Sequence, residues 1–222
     1  MNNTLPDTGF LASASERLKQ MLTGQAREIH LEAGEVLFEQ GDDGDSLYAV
    51  IEGALEFSIL SLNGRKLVLD VAGPGAVFGE IALFDPGPRT ATVTALDSGR
   101  LSRIRYADVL AKFHHHPELA TDMLRLAGQR MRLMGHQLNE QVFLPVPTRL
   151  ARKILYLTQE LAPRDTIKMS QSELADFVGA TREAVSKTLS VWKREGILDG
   201  SRGGITILDR SALSALAEPD QI

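Results

Sequence analysis

Two short stretches of the sequence bring together residue types that bind small anionic ligands. The first is Phe78-Gly79-Glu80-Ile81-Ala82-Leu83 and the second is Pro88-Arg89-Thr90-Ala91-Thr92-Val93. A glycine lets the backbone approach a ligand closely, and a short helix that starts there would direct free amide groups at an anion. Arg89 offers a permanent planar cation for phosphate oxygens, Thr90 adds a hydroxyl, and Glu80 can accept from a sugar hydroxyl. The pair of stretches predicts a sugar–phosphate site. The alternative is a glycine-bearing turn beside a surface Glu–Arg pair.

A helix-turn-helix is predicted in the last third of the chain. Ser170 and Glu173 have the spacing of a capping box at the start of a helix over residues 171–178. Gly179 ends this helix, and a second one begins after Thr181 and runs to about Glu195. Two helices joined by a short glycine-containing turn are typical of DNA-binding proteins.

The second of these helices carries side chains suited to reading base edges. Ala184, Val185 and Leu189 can pack it, which leaves its outward N-terminal half free to meet bases. A glutamate can accept from cytosine N4, and a lysine can donate to guanine. The alternative is the charged solvent face of a packing helix. The predicted DNA-contacting residues are Ser170, Thr181, Arg182, Glu183, Ser186, Lys187 and Arg202.

Short alternating apolar stretches separated by glycines predict a β-sandwich or jelly roll over residues 28–108. Asn63-Gly64 lies between two of these stretches and is a strong hairpin signal. A small hairpin, or wing, is predicted around residues 197–207, followed by a helix from Arg210 to Ala217 that Asp209 caps. The predicted strands are Val36–Phe38, Leu47–Ile51, Leu55–Leu60, Leu67–Val71 and Thr92–Leu96.

A long helix of about 23 residues is expected between these parts, because apolar residues there recur at steps of three and four. Such a seam favours pairing with a second helix in a coiled coil, and the alternative is one amphipathic helix packed on its own domain. Pro145 and Pro147 are expected to end the helix and to mark a hinge before a further helix, Arg149 to Leu161. The predicted dimer-interface residues are Leu124, Ala127, Met131, Met134 and Leu138.

The ligand-binding stretches, followed by a helix-turn-helix, resemble the CRP/FNR family of bacterial transcription regulators over about residues 15–217. The resemblance implies an α+β fold. Its parts are an N-terminal β-roll (jelly roll) sensor domain with flanking helices over residues 1–116, a dimerisation helix over 117–144 and a winged helix-turn-helix domain over 145–222. It also implies a cytoplasmic homodimer that binds palindromic double-stranded DNA and works with RNA polymerase. The cyclic nucleotide is then an allosteric ligand and not a catalytic cofactor.

The resemblance assigns the two stretches, called the cassette below, to a cyclic nucleotide. Gly79 and Glu80 would meet the ribose, and Arg89 with Thr90 would meet the cyclic phosphate. An enzyme acting on nucleotides would need a catalytic acid–base pair or a metal site, and the sequence near the cassette has neither. The further cassette residues expected to line the ligand site are Ile81, Ala82 and Ala91.

Base recognition is expected to depart from that of the cyclic-AMP receptors. Met134 and Gly135 stand where those receptors carry a Thr-Ser pair that contacts adenine. Arg130, one helical turn earlier, is a further candidate for contact with the ligand or the cassette. Threonine at position 90 is common in domains that favour cyclic GMP, so cyclic AMP and cyclic GMP both remain open. The alternatives are another ligand, such as cyclic di-GMP, and no ligand. Lys187 replaces the family's usual arginine and cannot form the same bidentate fork.

Composition excludes several other classes of site. The chain of 222 residues has no cysteine, which excludes disulfides, thiolate zinc sites and cysteine-held iron–sulfur clusters. His114-His115-His116 would point in different directions on a helix, so no metal site is expected. The apolar runs are too short for a membrane span.

The net charge of −5 argues against DNA binding when taken alone. However, residues 1–146 carry −6 and residues 147–222 carry +1, so the acidity belongs to the sensing part.

Overall fold

The computed structural model describes residues 9–24, 26–62, 64, 66–158, 165–167, 169–201 and 204–218. These residues form two compact units, one of residues 9–59 with 69–133 and the other of 60–68 with 134–218. Asn63 of the predicted hairpin and Arg202 of the predicted DNA contacts lie outside the described residues. Within the described part of the chain, no helix is both long and apolar enough to cross a bilayer.

Two four-stranded sheets form the framework of the first unit. Strand β3 pairs antiparallel with both β6 and β8 in one sheet, and β7 pairs antiparallel with both β2 and β4 in the other. In the first sheet the order is β1 (Arg27–Leu31), β8 (Gly99–Arg105), β3 (Ser46–Glu52) and β6 (Val77–Phe78), and in the second it is β2 (Val36–Phe38), β7 (Thr92–Ala95), β4 (Leu55–Leu60) and β5 (Lys66–Ala72).

The core of this unit lies on both faces of the first sheet, because β3 is buried on both sides. Successive side chains of a strand point to opposite faces. Tyr48 and Val50 join a cluster with Phe78 and Val93, which comes from the second sheet. Leu47 and the rest of its face join a separate cluster with helical residues. The predicted β-roll is confirmed, while the short or arginine-rich strands β1, β6 and β8 were not predicted.

Helices cover the outer face of the first sheet. The buried side chains of α5 that pack there are Leu119, Met123 and Leu126, and they share a cluster with Leu18 and Leu22 of α2. One stripe of α5 therefore packs on its own unit, as the alternative interpretation held. The helices are α1 (Gly9–Ala12), α2 (Glu16–Gly24), α3 (Ile81–Phe84), α4 (Tyr106–His115) and α5 (Glu118–Phe143).

A second stripe of α5 is the predicted dimer seam. Four of its five side chains are between 62% and 73% exposed, and Ala127 is half-buried. Exposure of this much aligned apolar surface is costly unless another surface covers it. The exposed members are Leu124, Met131, Met134 and Leu138.

Three helices pack against α6 in the second unit, which also contains a small sheet. Helix α6 contacts α7, α8 and α9, and Leu150, Phe177 and Trp192 are buried. The three strands lie in the order β10, β11, β9, so the predicted wing hairpin is present as β10 and β11. The elements are α6 (Val146–Tyr156), β9 (Thr166–Ile167), α7 (Gln171–Val178), α8 (Arg182–Arg194), β10 (Leu198–Ser201), β11 (Gly204–Ile207) and α9 (Arg210–Ala217).

The predicted end of the long helix before Pro145 is confirmed, and only the start of the next helix and the place of Pro147 differ from the prediction. Helix α5 ends at Phe143, before either proline, and α6 begins at Val146 and not at Arg149. Pro145 is the N-cap of α6, and Pro147 lies in its first turn. A proline is tolerated there because the first N–H groups of a helix have no intrahelical partner. Pro147 therefore helps to start a helix.

Candidate functional site

The cassette is built on a sharp turn at Gly79, between β6 and α3. Gly79 has a φ of +83°, which a residue with a side chain adopts only with strain. A Cβ there would lie 2.8 Å from Arg89 Nη1 and 2.9 Å from the carbonyl oxygen of Ser46. Arg89 thus occupies the space that a side chain at position 79 would need, and the arginine packs directly against the glycine turn.

Arg89 is held inside the first unit by carbonyl groups and aromatic rings. The residue is 5% exposed. Its Nη2 donates to the Ser46 carbonyl at 3.0 Å and its Nη1 to the Tyr106 hydroxyl at 3.0 Å. The guanidinium carbon lies 4.2 Å from the centre of the Phe38 ring. Nε is buried and has no hydrogen-bond partner. No carboxylate among the described residues forms an ion pair with this guanidinium, so the site presents a buried cation without an anion.

The loop before β3 backs the arginine from the other side. The Arg89 N–H donates to the Asp42 carbonyl at 2.7 Å, and the Gly41 N–H donates to the Arg89 carbonyl at 2.9 Å. A Cβ at Gly44 would lie 3.2 Å from Arg89 Nε. The loop therefore fixes both the backbone and the side chain of Arg89.

Asp45 and Arg103 fix Ser46, which supplies the carbonyl for Arg89. Arg103 donates to both carboxylate oxygens of Asp45, at 2.9 and 3.0 Å, and to Ser46 Oγ at 2.9 Å. Ser46 Oγ in turn donates to Asp45 at 2.8 Å. This bond, followed by those from Arg103, holds the pKa of Asp45 below its usual value.

Tyr106 is, after Ser46, the second residue in contact with Arg89 that the sequence motifs did not indicate. Its hydroxyl donates to the Gly79 carbonyl and accepts from Arg89. Burial raises the pKa of Tyr106, as it does that of Tyr48, so the hydroxyl stays protonated and able to donate. No local spacing marks Tyr106 or Ser46, because each meets the cassette only through the sheet.

Glu80 lies beside Arg130 of α5. Glu80 is 4% exposed, and its Oε1 is 3.7 Å from Arg130 Nε. Arg130 also donates to the Val77 carbonyl at 2.9 Å and lies 3.6 Å from the Asp70 carboxylate. The structure thus brings Arg130 to the cassette from α5, which makes it a link between the cassette and this helix.

The other predicted ligand-binding residues are distributed between the two units. Thr90 and Ile81 are exposed, whereas Ala82 and Ala91 are buried. Met134 and Gly135 lie on α5 and belong to the second unit, where both are exposed. The cassette residues and Arg130 are therefore brought together within the first unit, whereas Met134 and Gly135 belong to the second unit.

Capping groups close in sequence set the limits of the two helices of the helix-turn-helix. The Ser170 hydroxyl accepts from the Glu173 N–H at 3.2 Å, and the Glu173 carboxylate accepts from the Ser170 N–H at 2.6 Å. Gly179 ends α7 in the left-handed conformation, with a φ of +66°. The Thr181 hydroxyl caps α8 by accepting from the Ala184 N–H at 3.2 Å. The capping groups were all predicted from the sequence, since caps are local.

The outward half of α8 presents three charged side chains to solvent. Val185, Leu189 and Trp192 are buried, which fixes the helix and turns the opposite face to solvent. Arg182, Glu183 and Lys187 are exposed and Ser186 is half-buried. Among the described residues, no hydrogen bond or ion pair engages the side chains of the three charged ones. They can all contact an external partner.

Ser170 and Arg182 line one groove of about 460 Å³ with Lys193 and Gly200. Lys193 ties α8 to the wing, because its Nζ lies 2.6 Å from Asp199 and donates to the Gly200 carbonyl at 3.1 Å. The same lysine lowers the pKa of Asp199 through a hydrogen bond and its charge. The wing is thereby joined to the helix that carries the predicted base-reading residues.

The three consecutive histidines lie at the end of α4. His116 is the C-cap of this helix, and its Nδ1 lies 3.5 Å from the Glu118 carboxylate. Among the described residues, no group of three or more potential ligands is arranged to hold a metal ion.

A β-roll with a buried cation at a glycine turn, followed by a winged helix-turn-helix, defines a ligand-sensing DNA-binding protein. Comparison with known families agrees with this class. The sequence model of the cyclic nucleotide-binding domain matches residues 28–116, and that of the Crp-like helix-turn-helix domain matches residues 148–216.

Relatives of known function cover nearly the whole chain. The CRP-like cAMP-activated global transcriptional regulator of Mycobacterium tuberculosis is 30% identical over 98% of this chain and 100% of its own length. The cyclic AMP receptor protein of Thermus thermophilus is 31% identical over 94% of this chain and 95% of its own length. The chain belongs to the CRP/FNR family and is a CRP-like DNA-binding transcription regulator with a cyclic-nucleotide-binding domain.

Solved structures show the same fold. A CRP/FNR-family transcriptional regulator from Thermus thermophilus matches with a TM-score of 0.76 at 28% identity, covering 87% of this chain and 99% of its own. The c-di-GMP responsive global regulator CLP of Xanthomonas campestris matches with a TM-score of 0.75 at 22% identity, covering 87% of this chain and 99% of its own.

Proposed function

We propose that the protein is a cyclic-nucleotide-responsive homodimer that binds palindromic DNA and regulates transcription in the cytoplasm, together with RNA polymerase. In this proposal the nucleotide binds at the cassette, and its binding repositions the helix-turn-helix for DNA. The protein has no catalytic step, since the nucleotide acts as an allosteric ligand.

The observation that carries the proposal is the state of Arg89. Its charge is buried, it has no carboxylate partner among the described residues, and its Nε makes no hydrogen bond. A buried cation in this condition is costly. A cyclic phosphate would supply the missing charge and acceptor. Gly79 supports this assignment because its turn leaves no side chain between the guanidinium and the cassette backbone.

Arg130 offers a route for the signal. It contacts the Val77 carbonyl and Glu80 within the cassette region, and it is part of α5, which continues to Phe143. A ribose hydroxyl bonded to Glu80 would compete with Arg130 for that carboxylate. Ligand binding would thus change a contact of α5 directly, which is the differential interaction that a population shift requires.

The dimer and the DNA contacts rest on the two exposed surfaces. The α5 seam exposes leucine and methionine side chains at the spacing of a two-stranded coiled coil. Two copies of α8 in such a dimer would lie about one DNA turn, or roughly 34 Å, apart on a palindrome. For base reading we propose Arg182, Glu183, Ser186 and Lys187, with Ser170, Thr181 and Arg202 on the backbone.

Cyclic AMP is the first candidate ligand, because the relatives at 30% and 31% identity are described as cAMP-activated or as a cyclic AMP receptor. Cyclic GMP is the second. Thr90 is exposed beside Arg89 and could reach a guanine amine, and Met134 and Gly135 offer no side-chain hydroxyl to adenine. In this proposal Ile81, Ala82 and Ala91 shape the cassette wall.

The test is isothermal titration of the full chain with cyclic AMP, cyclic GMP and cyclic di-GMP in parallel, with Arg89→Ala as the disabled variant. Removing a charge that bonds a buried phosphate costs about 2–5 kcal/mol, so Arg89→Ala should weaken binding at least 30-fold, at roughly 1.4 kcal/mol per factor of ten. Sedimentation should show dimers for both proteins.

Arg100→Ala is the matched control. Arg100 lies on β8, where it pairs with Glu28 of β1 and Glu52 of β3, and 40% of its side chain is exposed. Its loss removes the same charge without touching the cassette, and nucleotide affinity should stay within about twofold. Equal affinity of Arg89→Ala and wild type would contradict the cassette assignment. Binding of cyclic di-GMP alone would replace the proposed ligand, and absence of binding by all three would favour a regulator without a nucleotide ligand.

A further inference from the structure

Gln141 lies where the α5 seam would continue. The seam runs through Leu124, Ala127, Met131, Met134 and Leu138 at steps of three and four residues. The next step of three reaches Gln141, so an amide takes the place of an apolar side chain at the end of the seam. A polar residue at such a position weakens helix pairing there unless its hydrogen bonds are made elsewhere.

The amide of Gln141 makes those bonds within the second unit. Its Nε2 donates to the carbonyl of Val178 at 3.1 Å, and Val178 is the last residue of α7. Its Oε1 accepts from Arg149 Nη1, which also donates to the Gln141 backbone carbonyl at 3.0 Å. Donor and acceptor ends of one amide are therefore both used, and they join α5, α6 and the end of α7.

Gly179 shows that the fit at this point is close. A Cβ on Gly179 would lie 2.9 Å from both Nε2 and Oε1 of Gln141. Gly179 is also the left-handed residue that separates α7 from α8, with Ala180 N–H bonded to the Ala175 carbonyl at 3.0 Å. The amide thus rests on the turn that sets the direction of α8.

Among the described residues, Gln141 is the only hydrogen-bond acceptor of the Arg149 side chain. Its Nε is buried without a hydrogen bond, and desolvation lowers its pKa. Glu140 lies next to Gln141 on α5 but pairs with Arg152 at 2.8 Å. Because the carboxylate is committed to Arg152, the Gln141 side chain and backbone are the acceptors that hold Arg149 in place.

We propose that Gln141 is the positioning residue that couples pairing along the α5 seam to the turn before the recognition helix. A change in the position or winding of the last turns of α5 moves the Gln141 amide, and the bond to Val178 passes this movement to the start of α8. The proposal rests on the proposed function for its biological meaning, since it concerns how a ligand-dependent dimer would direct α8.

Three variants of the full chain separate the contacts. Gln141→Ala removes both bonds. Gln141→Glu keeps the size and the acceptor for Arg149 but has no N–H for the Val178 carbonyl. Asn139→Ala removes an exposed amide two residues earlier on the same helix and is the control. Circular dichroism should show all three to be folded, because each change is at an exposed residue.

Amide hydrogen exchange at residues 178–182 is the first measurement, and it needs neither ligand nor DNA. A neutral hydrogen bond contributes about 0.5–1.5 kcal/mol, so exchange of the Ala180 N–H should rise roughly two- to tenfold in Gln141→Ala and in Gln141→Glu. Asn139→Ala should match wild type. Equal exchange in Gln141→Ala and Asn139→Ala would overturn the proposal. Wild-type exchange in Gln141→Glu would also overturn it, because the bond to Val178 would then be irrelevant.

DNA binding is the second measurement, with a duplex selected by the wild-type protein from a randomised library. Affinity for that duplex should fall roughly two- to tenfold in both Gln141 variants, while the calorimetric Kd for cyclic AMP stays within about twofold. Raised exchange with unchanged DNA affinity would overturn the positioning role. Failure of every protein, including wild type, to bind a nucleotide would contradict the proposed function, and the exchange data would still decide the role of Gln141.

Discussion

Arg89 and Arg182 are the same residue type in opposite surroundings. Arg89 is 5% exposed, and carbonyls, a hydroxyl and an aromatic ring fix its guanidinium. Arg182 is exposed on α8, and its side chain makes no hydrogen bond or ion pair with the described residues. A phosphate that reaches Arg89 meets a cation already in position, whereas a DNA strand that reaches Arg182 must order it. The difference suits a small ligand bound in one geometry and a long partner met by adjustable contacts.

The charge of the chain follows the same division. Residues 1–146 carry −6 and residues 147–222 carry +1. An acidic sensing part does not prevent anion binding at the cassette, because one buried cation acts at short range in a region of low dielectric. A nearly neutral DNA-facing part predicts weak non-specific DNA binding, so the base contacts of α8 carry more of the affinity.

After the loss of Arg89 itself, the largest effect is expected from filling the space above the cassette turn. Gly79→Ala would push a Cβ against Arg89 and Ser46, and the lost bonds to a charged group are worth about 1.5–3 kcal/mol. Nucleotide affinity should fall roughly 10- to 100-fold in a calorimetric titration.

Gly34→Ala is the control for backbone strain. Gly34 has a φ of +85°, close to that of Gly79, but a Cβ there would meet no atom within 4 Å. The left-handed backbone should cost both variants about 1–2 kcal/mol of folding stability. Gly79→Ala should lose more because its Cβ also meets the Ser46 carbonyl, and only Gly79→Ala should lose nucleotide binding. A similar loss in both variants would show that the pocket depends on overall stability and not on the placement of Arg89.

The second-largest effect is expected at Glu183, on the exposed face of α8. Glu183→Ala should cost about 1–3 kcal/mol of discrimination between half-sites, because a carboxylate that accepts from cytosine is lost. Binding to random-sequence DNA and its salt dependence should change little. Gel shifts with selected and scrambled duplexes would measure this. Unchanged discrimination would remove Glu183 from the base-reading set.

A smaller effect is expected at the cap of α8. Thr181→Ala removes the acceptor for the Ala184 N–H and should cost about 1 kcal/mol of folding free energy. In thermal unfolding this corresponds to a fall of roughly 4–8 °C for a domain of this size. Ser190→Ala, whose hydroxyl bonds only to the Ser186 carbonyl on the same helix, should leave the midpoint within about 1–2 °C. Equal midpoints for the two variants would show that the cap is not needed.

The smallest effect is expected in the pH dependence of folding stability, through Asp45 near the cassette. The folded-state pKa of Asp45 is lowered, first by Ser46 and then by Arg103. Its stabilising contribution is therefore present above the unfolded pKa of about 4 and is lost as the pH falls through the folded value. Wild type should lose its advantage over Asp45→Asn in urea unfolding as the pH drops from 6 towards 3. Because Asp45 is largely exposed, the effect should be small and weaker in salt. Asp97→Asn, which removes one carboxylate outside this network, is the control for the loss of a negative charge.

Local features of the fold could be predicted from the sequence. Strands β2 and β4 have their predicted limits, and the capping groups Ser170, Thr181 and Asp209 act as expected. Strand β8 was missed because Arg100, Arg103 and Arg105 interrupt its apolar alternation. The interruption is possible because these side chains reach carboxylates on β3, on the turn before it and on α4. Apolar periodicity indicates which residues are buried, and it fails to indicate a strand whose charged residues are paired with carboxylates.

The residues of the site also fall into a group that local sequence predicts and a group that it does not. Gly79 and Arg89 could be found because they lie ten residues apart in the sequence. The groups that hold Arg89 could not be found, because Ser46 is 43 residues away and contributes a backbone carbonyl. A carbonyl has no signature in the sequence, since every residue carries one. Only the sheet, which places β3 next to β6, brings it to the arginine.

The two apolar stripes of α5 restrict how this helix can move. Leu119, Met123 and Leu126 lock its first half into the core of the first unit, so that half has no freedom to roll about its own axis. The direction in which the seam faces is therefore set before any partner arrives. In the proposed function, a signal along α5 would therefore take the form of bending or unwinding beyond Leu126, because rotation of the whole helix about its axis would pull Leu119, Met123 and Leu126 out of their contacts.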